Sequence, residues 1–107
     1  MSLEKTIYIG SLFSIYKPLL TEKQQEMLSL YYEEDFSLSE IADQFGISRQ
    51  GVRDNIRRGE NQLQNYEAAL SMHANRIKRL SLLDELQAQV DEPNLRRLIE
   101  QLKQIEE

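Results

Sequence analysis

The sequence predicts an all-α protein, and three features of its 107 residues support this fold class. Glycine and proline are scarce, with four and two copies. No strand-like alternation of apolar and polar residues extends beyond a few positions, and apolar residues instead recur three and four positions apart, as on one face of a helix. We expect a helical domain over residues 1–60 and further helices over 61–107 that serve packing or dimerisation, together forming one compact unit.

Two helices are expected before residue 36. The first covers residues 3–17 and ends at Pro18, because the residue before a proline is pushed out of the helical conformation. Thr21 can cap a second helix that extends to Asp35, with Gln24 at the position of a capping box. The apolar positions of the first helix include Leu3, Ile7, Leu12, Ile15 and Tyr16.

The second helix ends in an aromatic pair and an acidic run. Tyr31 and Tyr32 could stack on nucleic-acid bases, but beside two leucines such a pair is more typical of the core and its rim. Residues 33–35 are all acidic, which opposes the dipole at a helix C-terminus, and we interpret them as a solvated helix end. Adjacent carboxylates point in different directions, so we expect no metal site there.

Residues 37–58, SLSEIADQFGISRQGVRDNIRR, have the pattern of a helix-turn-helix. Ser37 can cap a short helix, with Glu40 completing a capping box. Gly46 can take the left-handed conformation that ends this helix, and Ser48 can cap the next one. The apolar residues that form the buried face and fill the turn are Leu38, Ile41, Ala42, Phe45 and Ile47.

The helix that begins at Arg49 is the candidate recognition helix. From residue 48 to 58 there are four arginines and one aspartate, a local charge of +3. Arginine and glutamine can pair with guanine and adenine edges, arginine also neutralises phosphate, and a helix N-terminus offers amides to a phosphate. The alternative is a solvated arginine face on an ordinary helix hairpin. The predicted DNA-binding residues are Ser48, Arg49, Gln50, Arg53, Arg57 and Arg58.

These residues resemble known families. Ile41-Ala42, Gly46-Ile47-Ser48, Val52, Arg58 and Leu63 are similar to the region-4 helix-turn-helix of bacterial sigma factors, and residues Leu19 to Ile56 resemble the YlxM family. YlxM proteins are small bacterial proteins, often encoded beside the signal-recognition-particle GTPases. The resemblance covers Leu3 to about Leu70. It implies a sigma-region-4-like helical fold, DNA binding and a regulatory link to the signal recognition particle pathway.

Three further residues of this region carry separate predictions: Gly51, Gly59 and His73. Gly51 departs from the family pattern, where alanine or another helix former is expected, and could allow a close approach to phosphate or weaken the helix. A heptad pattern over residues 52–80 predicts that the recognition helix continues as a long rod, which could bend at Gly59. The rod would pack against a second copy, the C-terminal helices or both. His73 is the only histidine, and the sequence has no histidine, cysteine or aspartate three or four positions from it, so it is more typical of a packed or rim residue than of a metal ligand.

The C-terminal residues predict a helical hairpin. Ser81 can cap a short helix over residues 82–90, and Pro93 suits the first turn of a second helix. This last helix carries an amphipathic stripe formed by Leu95, Leu98, Ile99, Leu102 and Ile105. The hairpin could cover the long helix or form a dimer interface, or the stripe could be an acidic docking element for another protein.

Charge and composition limit the function further. The net charge of −5 opposes nonspecific binding to polyanions, and the basic residues concentrate between residues 48 and 58 and again between 76 and 79. A DNA-binding form is therefore expected to be a homodimer that presents two recognition helices. The absence of cysteine suits the cytoplasm. The apolar N-terminal residues lack a cleavage site, and no apolar run reaches the length of a membrane span.

The pattern favours binding over catalysis. No phosphate loop, paired nucleophile and base, or metal-ligand set is found in the sequence, so we expect a non-enzyme without cofactor or metal. The favoured interpretation is a DNA-binding regulatory protein. The alternative is an adaptor that modulates a signal-recognition-particle protein or RNA and does not bind DNA.

Overall fold

The computed structural model describes residues 2–106, and over this range the chain is helical without strands. The all-α prediction is therefore confirmed. The helices are α1 (Leu3–Tyr16), a 3-10 turn (Lys17–Leu19), α2 (Glu22–Tyr32), α3 (Leu38–Phe45), α4 (Arg49–Leu70), α5 (Met72–Gln89) and α6 (Pro93–Glu106). The chain forms two compact units that divide between Leu70 and Ser71. The division predicted after residue 60 falls inside α4.

The first unit has a single apolar core to which its four helices contribute. Val52 and Ile56, the predicted inward positions of the recognition helix, are buried, as is Leu63 two turns later. Full burial of such a side chain stabilises the fold by roughly 1.5–3 kcal/mol. The other core residues are Ile9, Leu12, Phe13, Tyr16, Leu20, Met27, Leu28, Ile41 and Ala42.

The helix ends of α1 and α2 follow from local chemistry. Helix α1 ends at Tyr16, one residue before the position expected from Pro18, and the chain makes a 3-10 turn before α2. The capping box predicted for Thr21 is present: its hydroxyl accepts from the Gln24 amide at 3.2 Å, and the Gln24 side chain accepts from the Thr21 amide at 3.2 Å. Helix α2 ends at Tyr32, so the acidic residues 33–35 lie after it and are exposed.

Gly59 is a close-packing position. It is buried in α4, and a Cβ added there would lie 2.9 Å from Cδ1 and 3.0 Å from Cδ2 of Leu28 on α2. Helix α4 continues through Gly59 without interruption to Leu70. The missing side chain lets the two helices approach closely.

The prediction of one long helix over residues 52–80 is wrong. Helix α4 ends at Leu70, and Ser71 takes a left-handed conformation with φ of 53° that a continuous helix cannot contain. Burial along the heptad ends with Leu63 and partly buried Tyr66, whereas Leu70 is exposed. A heptad pattern identifies the apolar side of helical sequence, but it does not require a single continuous helix.

The second unit consists of α5 and α6, which contact each other, and the predicted C-terminal helical hairpin is confirmed. The predicted cap at Ser81 is wrong, because α5 passes through it without a break. Pro93 begins α6 as predicted, and the Glu92 carboxylate accepts from the amides of Asn94 and Leu95 at 3.0 and 2.9 Å. That carboxylate caps the helix start.

Polar contacts join the two helices of this unit. Lys103 pairs with Asp84 at 2.7 Å, and Arg79 pairs with Glu106 at 2.5 Å. The guanidinium of Arg79 lowers the pKa of the Glu106 carboxyl by hydrogen bonding. Arg96 donates to the Gln87 and Val90 carbonyl oxygens at the end of α5, both at 2.8 Å.

Candidate nucleic-acid interface

The turn between α3 and α4 has the local geometry that the sequence predicts. The Ser37 hydroxyl accepts from the Glu40 amide at 3.1 Å, and the Glu40 carboxylate accepts from the Ser37 amide at 2.9 Å. These hydrogen bonds with Ser37 lower the pKa of the Glu40 carboxyl. Gly46 ends α3 in the left-handed conformation, with φ of 67° and ψ of 34°. The capping box and the glycine turn are both confirmed.

Ser48 begins α4 as a cap. Its hydroxyl accepts from the Gly51 amide at 3.0 Å, and its carbonyl accepts from the Val52 amide at 3.0 Å. A Cβ at Gly51 would lie 3.2 Å from that same hydroxyl oxygen, so this glycine fits tightly against the cap. Ile47, in the turn, is partly buried and packs on the core.

Three arginines form a stripe along the start of α4. Arg49, Arg53 and Arg57 follow one another four residues apart, which places each about 40° around the helix from the last. All three side chains are exposed. Within residues 2–106 none of these guanidinium groups forms an ion pair. We call these residues the arginine stripe; their charge is available to a ligand.

The other predicted contact residues lie away from this stripe. The Gln50 side-chain amide donates to the Asp54 carboxylate at 3.0 Å, so this donor must be released before glutamine can pair with adenine. Arg58 is exposed but lies roughly 100° around the helix from Arg57. It lies on the same side as Asp54, one turn earlier. The six predicted residues are thus all exposed, but only three share one line.

Two tyrosine–glutamate hydrogen bonds hold α4 against its neighbours, and the sequence interpretation missed both. The Tyr16 hydroxyl on α1 donates to the buried Glu67 carboxylate at 2.6 Å, and the Tyr32 hydroxyl on α2 donates to Glu60. Burial, and then the hydrogen bond to Glu60, raises the pKa of the Tyr32 phenol. The sequence does contain a signal for these contacts. Glu60 and Glu67 lie four residues after the core residues Ile56 and Leu63, so both fall on the buried side of α4.

The aromatic pair at the end of α2 lies at the edge of the core. The Tyr31 and Tyr32 rings meet edge to face, with centroids 5.0 Å apart, and both side chains are partly buried against the core. This confirms the prediction of core and rim.

Residues 2–106 contain neither a metal-binding cluster nor a membrane-spanning helix. No cluster of three or more histidine, cysteine, aspartate or glutamate side chains is arranged to hold a metal ion there. No helix in that range has the length and apolar character needed to cross a membrane.

Comparison with known proteins gives the family. The family model that matches residues 3–105 is described as "Putative helix-turn-helix protein, YlxM / p13 like". A UPF0122 protein of Limosilactobacillus reuteri (strain DSM 20016) is 45% identical over 112 residues, covering 100% of this chain and 99% of its own. UPF0122 proteins of Halalkalibacterium halodurans and Symbiobacterium thermophilum are 51% and 54% identical over 89 and 87 residues. These alignments cover 83% and 81% of this chain and 82% and 81% of the relatives. The chain belongs to the UPF0122 family of YlxM- and p13-like proteins.

Proposed function

We propose that this protein binds DNA through α3 and α4 and acts as a transcription regulator of the sigma-region-4-like type in the cytoplasm. The observation that carries the proposal is the arginine stripe on a helix that follows a left-handed glycine turn. Its three guanidinium groups are exposed and form no ion pair within residues 2–106. In such a motif the second helix enters the major groove with its N-terminal residues toward the bases.

The predicted contact residues have distinct roles in this proposal. Arg49 and Gln50, nearest the N-terminus of α4, read base edges, whereas Arg53 and Arg57 contact bases or phosphates. Arg58 holds the backbone from the other flank, and the helix start at Ser48 offers amides to a phosphate. Asp54 lies among these residues and reduces the affinity of the surface for a polyanion.

We propose that the active form is a homodimer. The chain carries a net charge of −5, and one recognition helix neutralises few phosphates. The second unit offers an apolar surface for a second copy, because Leu98, Leu102 and Ile105 on α6 are exposed by 47%, 50% and 79%. Equilibrium sedimentation of the wild type and of a Leu98→Glu/Leu102→Glu variant tests this, since the variant should remain monomeric.

The test of DNA binding is a fluorescence-anisotropy titration with random duplex at about 50 and 200 mM salt, followed by selection of a preferred site. Affinity should fall steeply with salt. An Arg49→Ala/Arg53→Ala variant should bind more weakly. The magnitude of the slope of log K against log salt should decrease by up to about 0.9, because Arg53 is the one of the two assigned a phosphate contact. Lys23→Ala is the matched control, since Lys23 is exposed on α2 and is not one of the predicted DNA-binding residues. Equal binding by the double variant and the wild type would refute the proposal.

The second candidate function is an adaptor that docks on a signal-recognition-particle component. The exposed apolar stripe of α6 favours it, since a helix of this kind can lie in an apolar groove of a partner. The two functions differ in their response to salt: an apolar interface persists at 200 mM, whereas phosphate contacts weaken there. Pull-down with the particle's GTPases and RNA, using wild type and Leu98→Glu/Leu102→Glu, distinguishes them.

A further inference from the structure

The first unit contains a groove of about 480 Å³ whose walls come from all four helices. Lys5 on α1 and Tyr31 on α2 lie on one side, and Arg53, Arg57, Glu60 and Asn61 of α4 lie on the other. A groove of this volume is in the range that holds a small organic ligand. It includes two of the three residues of the arginine stripe.

The side chains that line this groove carry a net positive charge. It has three cationic side chains, Lys5, Arg53 and Arg57, and one carboxylate, Glu60. Arg53 and Arg57 are one helical turn apart, a spacing at which like charges repel. None of the three cations forms an ion pair within the described residues. A bound anion would relieve this repulsion and gain charge-assisted hydrogen bonds.

The one carboxylate of the groove, Glu60, is hydrogen-bonded to a neutral side chain and not to a cation. Glu60 lies one turn after Arg57, close enough in sequence for an ion pair along the helix. Its carboxylate instead accepts a hydrogen bond from the Tyr32 hydroxyl on α2. A phenol is protonated at neutral pH, so the Tyr32 hydroxyl remains a donor there. Tyr32 thereby holds Glu60 away from the arginines.

The remaining walls suit the base of a nucleotide. The Tyr31 ring and the Ile56 side chain supply apolar surface, and Asn61 and Gln64 supply amide groups that can both donate and accept. Aromatic rings stack on bases without strong preference for their identity, whereas phosphate groups require cations. The groove is lined by both kinds of group.

We propose that this groove binds a nucleotide with two or more phosphates, with the phosphates on Lys5, Arg53 and Arg57. Tyr32 acts as a positioning residue that keeps Glu60 from neutralising those cations. Since Arg53 and Arg57 also belong to the proposed DNA surface, the nucleotide competes with DNA for them. The competition with DNA rests on the proposed function, whereas nucleotide binding does not.

The test titrates the full chain into the fluorescent probes mant-ATP and mant-GTP and measures their anisotropy at about 50 mM salt. Inorganic pyrophosphate and adenosine serve as competitors. Lys5→Ala should weaken probe binding at least about tenfold, the effect of losing one charge-assisted contact. Lys23→Ala replaces an exposed lysine that does not line the groove and should leave probe binding unchanged. Pyrophosphate should displace the probes and adenosine should not. Equal losses in both lysine variants would show nonspecific attraction and overturn the site.

A second set of variants tests Tyr32. Tyr32→Phe frees Glu60 to pair with Arg57 and should weaken probe binding about two- to fivefold, the value of an exposed ion pair. Glu60→Gln should bind at least as tightly as wild type, and Tyr32→Phe/Glu60→Gln should recover the lost affinity. If the double variant binds as weakly as Tyr32→Phe, the role of Tyr32 is only structural and this part is refuted.

The two proposals fail separately. Probe binding without any DNA binding would refute the proposed function and leave the groove assigned to a nucleotide. DNA binding without probe binding would refute the groove alone. If both ligands bind, excess ATP or GTP should release duplex from the wild type, and simultaneous binding would overturn the competition.

Discussion

Replacing Gly59 by alanine tests how closely α2 and α4 pack. In an open helix position this change gains about 1 kcal/mol of helix propensity. At Gly59 the new Cβ would lie 2.9 and 3.0 Å from the two methyl carbons of Leu28 and 3.6 Å from its Cγ. It meets the whole branched end of a side chain that is fully buried, so no simple rotation removes the clash. Overpacking of this kind costs about 1–3 kcal/mol, so Gly59→Ala should lower the free energy of unfolding by up to about 2 kcal/mol.

The chain provides a matched control and a rescue. A Cβ at Gly10 in α1 would meet no atom within 4 Å, so Gly10→Ala should stabilise by roughly 0.5–1 kcal/mol. In a Leu28→Ala background the clash disappears, and Gly59→Ala should then become neutral or stabilising.

Urea denaturation monitored by tyrosine emission measures these effects, because all five tyrosines lie in the first unit and the chain has no tryptophan. Urea midpoints with an unchanged m-value would report stability alone. If Gly59→Ala stabilises the wild type as much as Gly10→Ala does, the close-packing argument is refuted.

Three further predictions concern single side chains. Tyr16→Phe leaves the buried Glu67 carboxylate without this donor and should lower the free energy of unfolding by about 1.5–3 kcal/mol in urea denaturation. Asp54→Asn removes one negative charge from the proposed DNA surface and should raise affinity for duplex roughly twofold in the anisotropy assay; unchanged affinity would place DNA elsewhere. The pKa of Glu40 is lowered, so its contribution to stability is complete above about pH 4.3 and is lost as pH falls through the lower folded value. Glu40→Gln keeps the capping acceptor without titrating, so its stability should depend less on pH there.

Local chemistry made much of the fold predictable. Both capping boxes, the left-handed Gly46 and the Ser48 cap depend on residues within three or four positions of one another, and the structure confirms them. The inward face of α4 was also predictable up to Leu63, because its 3.6-residue period is continuous.

Features that depend on contacts between distant residues were not predictable in this way. The sequence at Ser71 carries no glycine or proline to mark a helix end, and the apolar period continues beyond it, so the break after Leu70 was missed. The glycine at 59 was interpreted as a weak point because its partner Leu28 is 31 positions away along the chain. Serine at 81 lies in the middle of α5, where a capping side chain has no helix end to satisfy.

In the candidate site, too, features set by local sequence were predictable and features set by contacts between distant residues were not. Exposure of the six predicted DNA-binding residues followed from helical periodicity, but the grouping of Arg53 and Arg57 with Lys5 required the fold of α1 against α4. The roles of these residues in DNA binding remain predictions. The tyrosine partners of Glu60 and Glu67 come from α2 and α1, 28 and 51 residues away, so local patterns could indicate only that each carboxylate needed a partner.

The packing of α2 against α4 also bears on the charge available for binding. Gly59 allows Leu28 to approach α4 closely, and one turn later on α2 the Tyr32 hydroxyl reaches Glu60, the residue after that glycine. A larger residue at 59 would separate the helices and lengthen that hydrogen bond. Glu60 would then be free to turn toward Arg57, and an ion pair there would compete with any anionic ligand. Gly59→Ala should therefore weaken anion binding as well as stability, even though no atom of Gly59 faces the groove.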